Sequence, residues 1–235
     1  MTRRIVLDTE TTGLDPAQGH RVIEIGCVEL VGRRLTERRF HTYINPERDI
    51  DPGAMQVHGI TNERVASEPV FAAIAGDLVE FIRGAELVIH NAAFDVGFLD
   101  HEFARLGRDK TAEVCAGVLD TLKLAREARP GRRNSLDALC KDYGIDNSGR
   151  QLHGALLDAE LLAEVYLAMT RGQESLMMEL DAPVAVVATL SAVARVPLRV
   201  LRASEDELAE HERVLKEIAN ESKGRCLWLA EPAAT

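Results

Sequence analysis

The sequence predicts a mixed α/β fold, a sheet with helices on its faces, and three observations predict it. Three strand-like runs, RRIVLDTET, RVIEIGCVELV and RRFHTYINP, follow one another with short turn signals between them, which suggests an antiparallel meander. Beyond Pro46 the apolar residues recur at helical spacing instead. Short apolar runs of strand length then alternate with the helical stretches, the pattern of a sheet covered by helices. A chain of 235 residues that is 46% hydrophobic has the material for a packed core and an appendage.

In chain order, RRIVLDTET opens with the apolar run Ile5, Val6 and Leu7, and GLDPAQG and VGRR supply the turns around the second strand. FAAIAGDLVEFIRGA places Phe71, Ile74, Leu78, Phe81 and Ile82 at helical spacing, with Gly84 near its end. ELVIHN reads as a short buried strand, AAFDVGFLDHEFARLG as a helix, EVCAGVLDT as another strand and NSLDALCKDYG as a helix. GALLDAELLAEVYLAMT completes the alternation. Near Arg171 this order stops. RGQESLMMELDAPVAVVATLSAVARVP has no single period and carries Pro183 and Pro197, so a linker or extended segment is expected. SEDELAEHERVLKEI begins with a capping serine and acids in its first turn, and Leu208, His211, Leu215 and Ile218 form one stripe. The expected organisation is a domain over 1–171, a linker over 172–195 and a C-terminal segment over 196–235.

Composition narrows the function. No apolar run approaches the roughly 20 residues that cross a bilayer, and a strand stands where a signal peptide needs its apolar region, so a cytoplasmic protein without a membrane partner is expected. Cys27, Cys115, Cys140 and Cys226 lack CxxC spacing, which argues against a zinc site or disulfide framework and for reduced, structural thiols. The net charge of −10 speaks against a polyphosphate ligand. Acids gathered around cations are neutralised locally, however, and Arg126, Arg129, Arg132 and Arg133 form a basic cluster, for which a solvated loop is an equal reading.

The carboxylates are more telling. Residues i and i+2 of a strand project from one face, so Asp8 and Glu10 stand side by side at the end of an apolar strand. Two such charges repel unless a cation lies between them. Asp158 sits on the apolar stripe of the last helix of the domain, with Leu161, Leu162 and Val165 at i+3, i+4 and i+7, and Asp95 has Phe98 and Leu99 at i+3 and i+4. A single buried Asp is more often a satisfied cap or ion pair; four acids from three elements point to one metal site. His153 lies five residues before Asp158, off its helical face, and belongs to the entering loop, where a histidine has the pKa range of a general base. Oxygen ligands without cysteine or paired histidines favour two Mg²⁺ or Mn²⁺ ions and phosphodiester hydrolysis.

DTETTG, HNAAFDVGF and HGALLDAELLAEVY, in that order, resemble the three motifs of the DEDDh group of 3′ to 5′ exonucleases over about Arg3 to Thr170. FIRGAELVIHNAAFD, RNSLDALC, HGALLDAELLAEVYLAMT and the closing KGRCLWLA are more similar to the epsilon proofreading subunits of bacterial DNA polymerase III than to other members of that group. The resemblance implies a ribonuclease H-like five-stranded sheet and removal of nucleotides from a DNA 3′ end as deoxynucleoside 5′-monophosphates, in a replisome at the nucleoid. It makes Asp8, Glu10 and Asp158 the principal metal ligands and substrate contacts, with Asp95 completing the set, His153 the base and His58 a contact to the substrate strand. One departure stands out: Gly53 occupies a place, five residues before His58, where these enzymes often have a glutamate.

The resemblance also implies partners. QESLMM looks like a sliding-clamp docking peptide, with Gln173, Leu176 and Met178 as its anchors. The segment from Val196 to Ala230 resembles the part that binds the polymerase catalytic subunit, with Trp228 and Leu229 as anchors. A small accessory subunit on the nuclease domain is a further candidate partner. The competing readings are an RNA 3′ exonuclease of the same fold and a mainly structural replicase subunit.

Overall fold

The computed structural model describes residues 2–150, 152–171 and 203–222, together with Trp228. The chain divides into two units, Met1–Ala182 and Pro183–Thr235.

The first unit is built on a five-stranded sheet. Strands β1 (Arg3–Thr11), β2 (Val22–Val31) and β3 (Arg34–Tyr43) form the antiparallel meander, and β4 (Glu86–Ile89) and β5 (Gly117–Asp120) extend it in parallel from β1, giving the order β3-β2-β1-β4-β5. Alternation along β1 divides the core. Ile5 and Leu7 pack with Ile25, Cys27 and Leu87 under helices α3 (Phe71–Ile82) and α4 (Ala92–Arg105). Val6, on the other face, packs with Val28, Leu30 and Val88 against Leu162 and Tyr166 of helix α8 (Ala155–Met169). Helices α6 (Thr121–Ala128) and α7 (Leu136–Tyr143) close that second layer, with Ala125, Leu139, Leu161 and Val165 in one cluster.

The fold differs from expectation where short helices intervene. Pro52 opens α1 (Pro52–His58), which ends at Gly59 with φ +73°, and Thr61 caps α2 (Asn62–Val65). EVCAGVLDT is not one strand: the Thr111 amide donates to the Asp100 carboxylate (2.7 Å), and Thr111–Val114 makes a helical turn, α5, before β5. Asp120 then ends β5 and caps α6 by accepting from the Leu122 and Lys123 amides. Cys27, Cys115 and Cys140 are free and buried, as expected of structural thiols; Cys226 lies outside the described residues.

In the second unit, helix α9 (Glu205–Glu221) starts at the expected serine. Ser204 and Glu207 form a reciprocal capping box, each accepting from the other's backbone amide. Leu208 and Ile218 of its stripe are exposed. No described helix is long and apolar enough to cross a membrane.

Candidate metal centre and active site

The site forms where β1 runs out. Asp8 and Glu10 follow Val6 on the α8 face of the strand, and a register shift between Glu10 and Thr11 breaks the ladder there. Across that ladder Asp8 is paired with Gly26 and Glu10 with Glu24.

These two β2 residues seat α8. A β-carbon on Gly26 would lie 2.3 Å from the Ala155 carbonyl carbon and the Leu156 amide nitrogen, so the start of the helix needs glycine beneath it. Glu24 accepts from the Ala155 amide (3.1 Å) and pairs with His41 (2.7 Å), satisfying a free N–H of the first turn. Asp158, in that first turn, is thereby delivered to the end of β1, and it is 3% exposed.

Asp95 arrives from the opposite face. It lies in the first turn of α4, and its Oδ1 accepts from the Thr9 amide (3.0 Å) and the Thr9 hydroxyl (2.7 Å). Thr9 points away from Asp8 and Glu10, so the strand itself carries Asp95 into register with them.

Glu10, His153 and Asp158 bring ligand atoms within 4.8 Å of one another. Asp8 and Asp95 stand outside that group of three and join it through their fields. Burial, reinforced by Asp95, Glu10 and Asp158, pushes the Asp8 carboxyl well above the usual carboxylate range. Burial, with Asp158 and Glu24, raises Glu10 to about 8. Burial also raises Asp95 to about 7, against the pull of its Thr9 hydrogen bonds. Arg150 opposes the rise at Asp8 and Glu10. A buried set of carboxylates that resists ionisation without a neutralising cation, with His153 beside it, fits a divalent metal ion.

His153 lies in the loop before α8, as expected from its spacing, with its ring 45% exposed and Nδ1 3.2 Å from Asp158 Oδ2. His58 is buried at the end of α1. Its Nδ1 accepts from the Ile60 amide (3.0 Å), which puts a neutral ring's proton on Nε2. Nε2 has no hydrogen-bond partner among the described residues. The ring lines a pocket of about 530 Å³ with Glu10, Pro52, Gly53, Val57 and Phe94. On the other side of the acids a cleft of about 590 Å³ is lined by Asp8, His90, Arg126, Arg132, Asn134 and Arg150. Of the basic cluster, Arg126 and Arg132 line this cleft, and Arg129 and Arg132 both pair with Asp142.

Three residues of the site escaped the sequence reading. Arg150 is one, and its place three residues before His153 was the available signal. Gly26 and Glu24 are the others, the one glycine and one of the two acids inside the strand run Val22–Val31. Of the expected partner contacts, Gln173, Leu176, Met178 and Leu229 lie outside the described residues, and Trp228 is 82% exposed.

Comparison with known proteins places the chain among exonucleases. The family model for exonucleases, RNase_T, matches residues 5–166. DNA polymerase III subunit epsilon of Pasteurella multocida is 52% identical over 97% of this chain and 93% of its own length. The subunit of the same name from Escherichia coli K12 is 52% identical over 98% of each chain. Among solved structures, exonuclease X in complex with 5′ overhanging duplex DNA is 27% identical, with a TM-score of 0.57 over 73% of this chain and 93% of that one. A structure of exonuclease I, 22% identical with a TM-score of 0.65 over 77% of this chain and 43% of its own, shares the fold. With the exonuclease family model matching residues 5–166 and that identity along nearly its whole length, the chain belongs to the exonuclease family that includes the DNA polymerase III epsilon subunits.

Proposed function

We propose that this protein is a 3′ to 5′ DNA exonuclease that proofreads for a replicative DNA polymerase, releasing deoxynucleoside 5′-monophosphates. The observation that carries this reading is the convergence of Glu10, Asp158 and His153 beside Asp8 and Asp95, between an apolar pocket and an arginine-lined cleft. The two named epsilon subunits support the replicative role, and the exonuclease X complex supports DNA as the polymer.

Asp8, Glu10 and Asp158, with Asp95, would hold two divalent ions, Mg²⁺ or Mn²⁺. Bound there, such ions supply activation of water and charge stabilisation for in-line displacement at phosphorus. The protein's own groups do the rest. His153 takes the proton of the attacking water, the P–O3′ bond breaks, and the shortened strand leaves with a 3′-hydroxyl protonated from solvent. The pocket of Val57, His58 and Phe94 receives the terminal nucleoside, with the His58 ring forming part of its wall. Gly53 leaves that pocket without the glutamate side chain common among similar enzymes. Arg126 and Arg132 face the phosphates of the strand in the other cleft.

The segment beyond the nuclease domain supplies the partner contacts in this reading: Gln173, Leu176 and Met178 to a sliding clamp, Trp228 and Leu229 to the polymerase catalytic subunit. The test uses a primer with a paired or a mispaired 3′ end, offered to the full chain and to a chain ending at Thr170, with and without polymerase. Faster removal of the mispaired end, and loss of polymerase binding but not of nuclease activity on truncation, are expected. Equal activity of the two chains in the polymerase complex would remove the tail from the reading, and cleavage of RNA alone would replace DNA as the substrate.

A further inference from the structure

Arg150 enters the carboxylate cluster from the loop before His153 with all three guanidinium nitrogens engaged. Nε and Nη2 donate to the two oxygens of Asp158 at 2.5 and 2.6 Å, a fork-on-fork pair, and Nη1 donates to Asp137 at 2.6 Å. Nη2 also donates to His153 Nδ1 at 2.7 Å. The Arg150 side chain is 6% exposed, and that of Asp158 is buried more deeply still, at 4%.

One cation therefore occupies both oxygens of Asp158 and one nitrogen of His153. A guanidinium forked on both of those oxygens competes with a divalent ion for them, because like charges at contact distance repel in a buried site. The same contact fixes His153. With Nδ1 accepting from Arg150, the neutral ring carries its proton on Nε2 and cannot accept one there. Both Asp158 and His153 are thus withheld from the chemistry assigned to them while the guanidinium stays. Its third anchor, Asp137, is 59% exposed and lines the arginine-bearing cleft, so the side chain can leave the acids without losing every partner.

We propose that Arg150 is a positioning residue that serves as the resident counter-cation of Asp158 in the metal-free protein and is exchanged for a divalent ion on loading, releasing His153 Nδ1 in the same movement. The proposal rests on the metal-dependent reading above. It treats Arg150 as the group that keeps a crowded set of acids folded before the metal arrives.

The test is calorimetric titration of Mn²⁺ into the full chain and into Arg150→Met, which keeps the aliphatic stem, with melting of both in EDTA and in saturating Mn²⁺. Arg150→Met should bind Mn²⁺ about tenfold more tightly, the scale of one charged hydrogen-bonded competitor removed. It should melt below the parent in EDTA, and the gap should close in Mn²⁺. Equal or weaker Mn²⁺ binding by the folded variant overturns the exchange. Should Arg150→Met not fold, the Arg150 Nε–H resonance, assigned by its absence from Arg150→Lys, decides: it moves on saturation with Mg²⁺ if the exchange occurs, and its failure to move overturns the proposal. No Mn²⁺ binding by the parent chain would defeat the metal reading itself, whereas parent binding with unaltered affinity in Arg150→Met defeats the exchange alone.

Discussion

Asp8 and Gly26 are partners across the β1–β2 ladder, and the first turn of α8 lies where a β-carbon on Gly26 would be. The strand that carries one acid thus has, directly opposite that acid, the gap through which the helix carrying Asp158 approaches. Gly26→Ala is expected to push the start of α8 away from the sheet. The cost is about 1–3 kcal/mol of stability, the range for overpacking a tight contact. Exonuclease activity should fall too, although residue 26 touches no substrate. Denaturant melts and a cleavage assay on the same preparation check both; full activity with unchanged stability would mean that the contact relaxes freely.

Asp8→Ala should reduce cleavage to the level of an EDTA-treated sample while leaving the chain folded. In EDTA it should melt no lower than the parent, because it removes a carboxyl held in a site that resists its ionisation. A folded variant with full activity would take Asp8 out of the metal set.

His153→Ala should lower the rate by roughly 10²- to 10⁴-fold, the scale of a lost general base, with little change in Mn²⁺-saturated melting temperature. Its ring is half in solvent, so a large loss of stability is not expected. A negligible rate change would assign the proton to another group.

Without metal, stability should depend on pH through Glu10 and Asp95, whose carboxyls are raised to about 8 and about 7. Each binds its proton more tightly folded than unfolded. Their contribution is complete below the unfolded values near pH 4 and is lost as pH climbs through the folded ones. In EDTA the melting temperature should therefore fall between about pH 5 and pH 8. Saturating Mn²⁺ should flatten that fall, since it binds the deprotonated carboxylates. A melting temperature that rises across the window in EDTA would contradict the assigned environments.

The parts of the site that sequence showed are those encoded by short spacings. The i, i+2 placement of Asp8 and Glu10, the position of Asp158 on a stripe with Leu161, Leu162 and Val165, and the place of His153 off that stripe are local facts, and the strand and helices realise them. Gly26 and Glu24 act through contacts across more than 120 residues of chain, so their meaning appears with the ladder register and the α8 approach. Arg150 read as one more charge in a polar loop; its partners Asp137, His153 and Asp158 come from two helices and the loop between them. The mistaken strand over EVCAGVLDT has a similar origin, since the Asp100 carboxylate that turns Thr111 into a helical start belongs to α4.

The most direct test of the central claim is digestion of a single-stranded DNA labelled at its 5′ end, in Mn²⁺ and in EDTA, with Asp8→Ala as the control. A ladder that shortens one nucleotide at a time from the 3′ end, releases deoxynucleoside 5′-monophosphates, and vanishes in EDTA and in Asp8→Ala is the expected result. Immediate loss of the label as a mononucleotide, or an intact strand in the presence of folded protein and Mn²⁺, would contradict it.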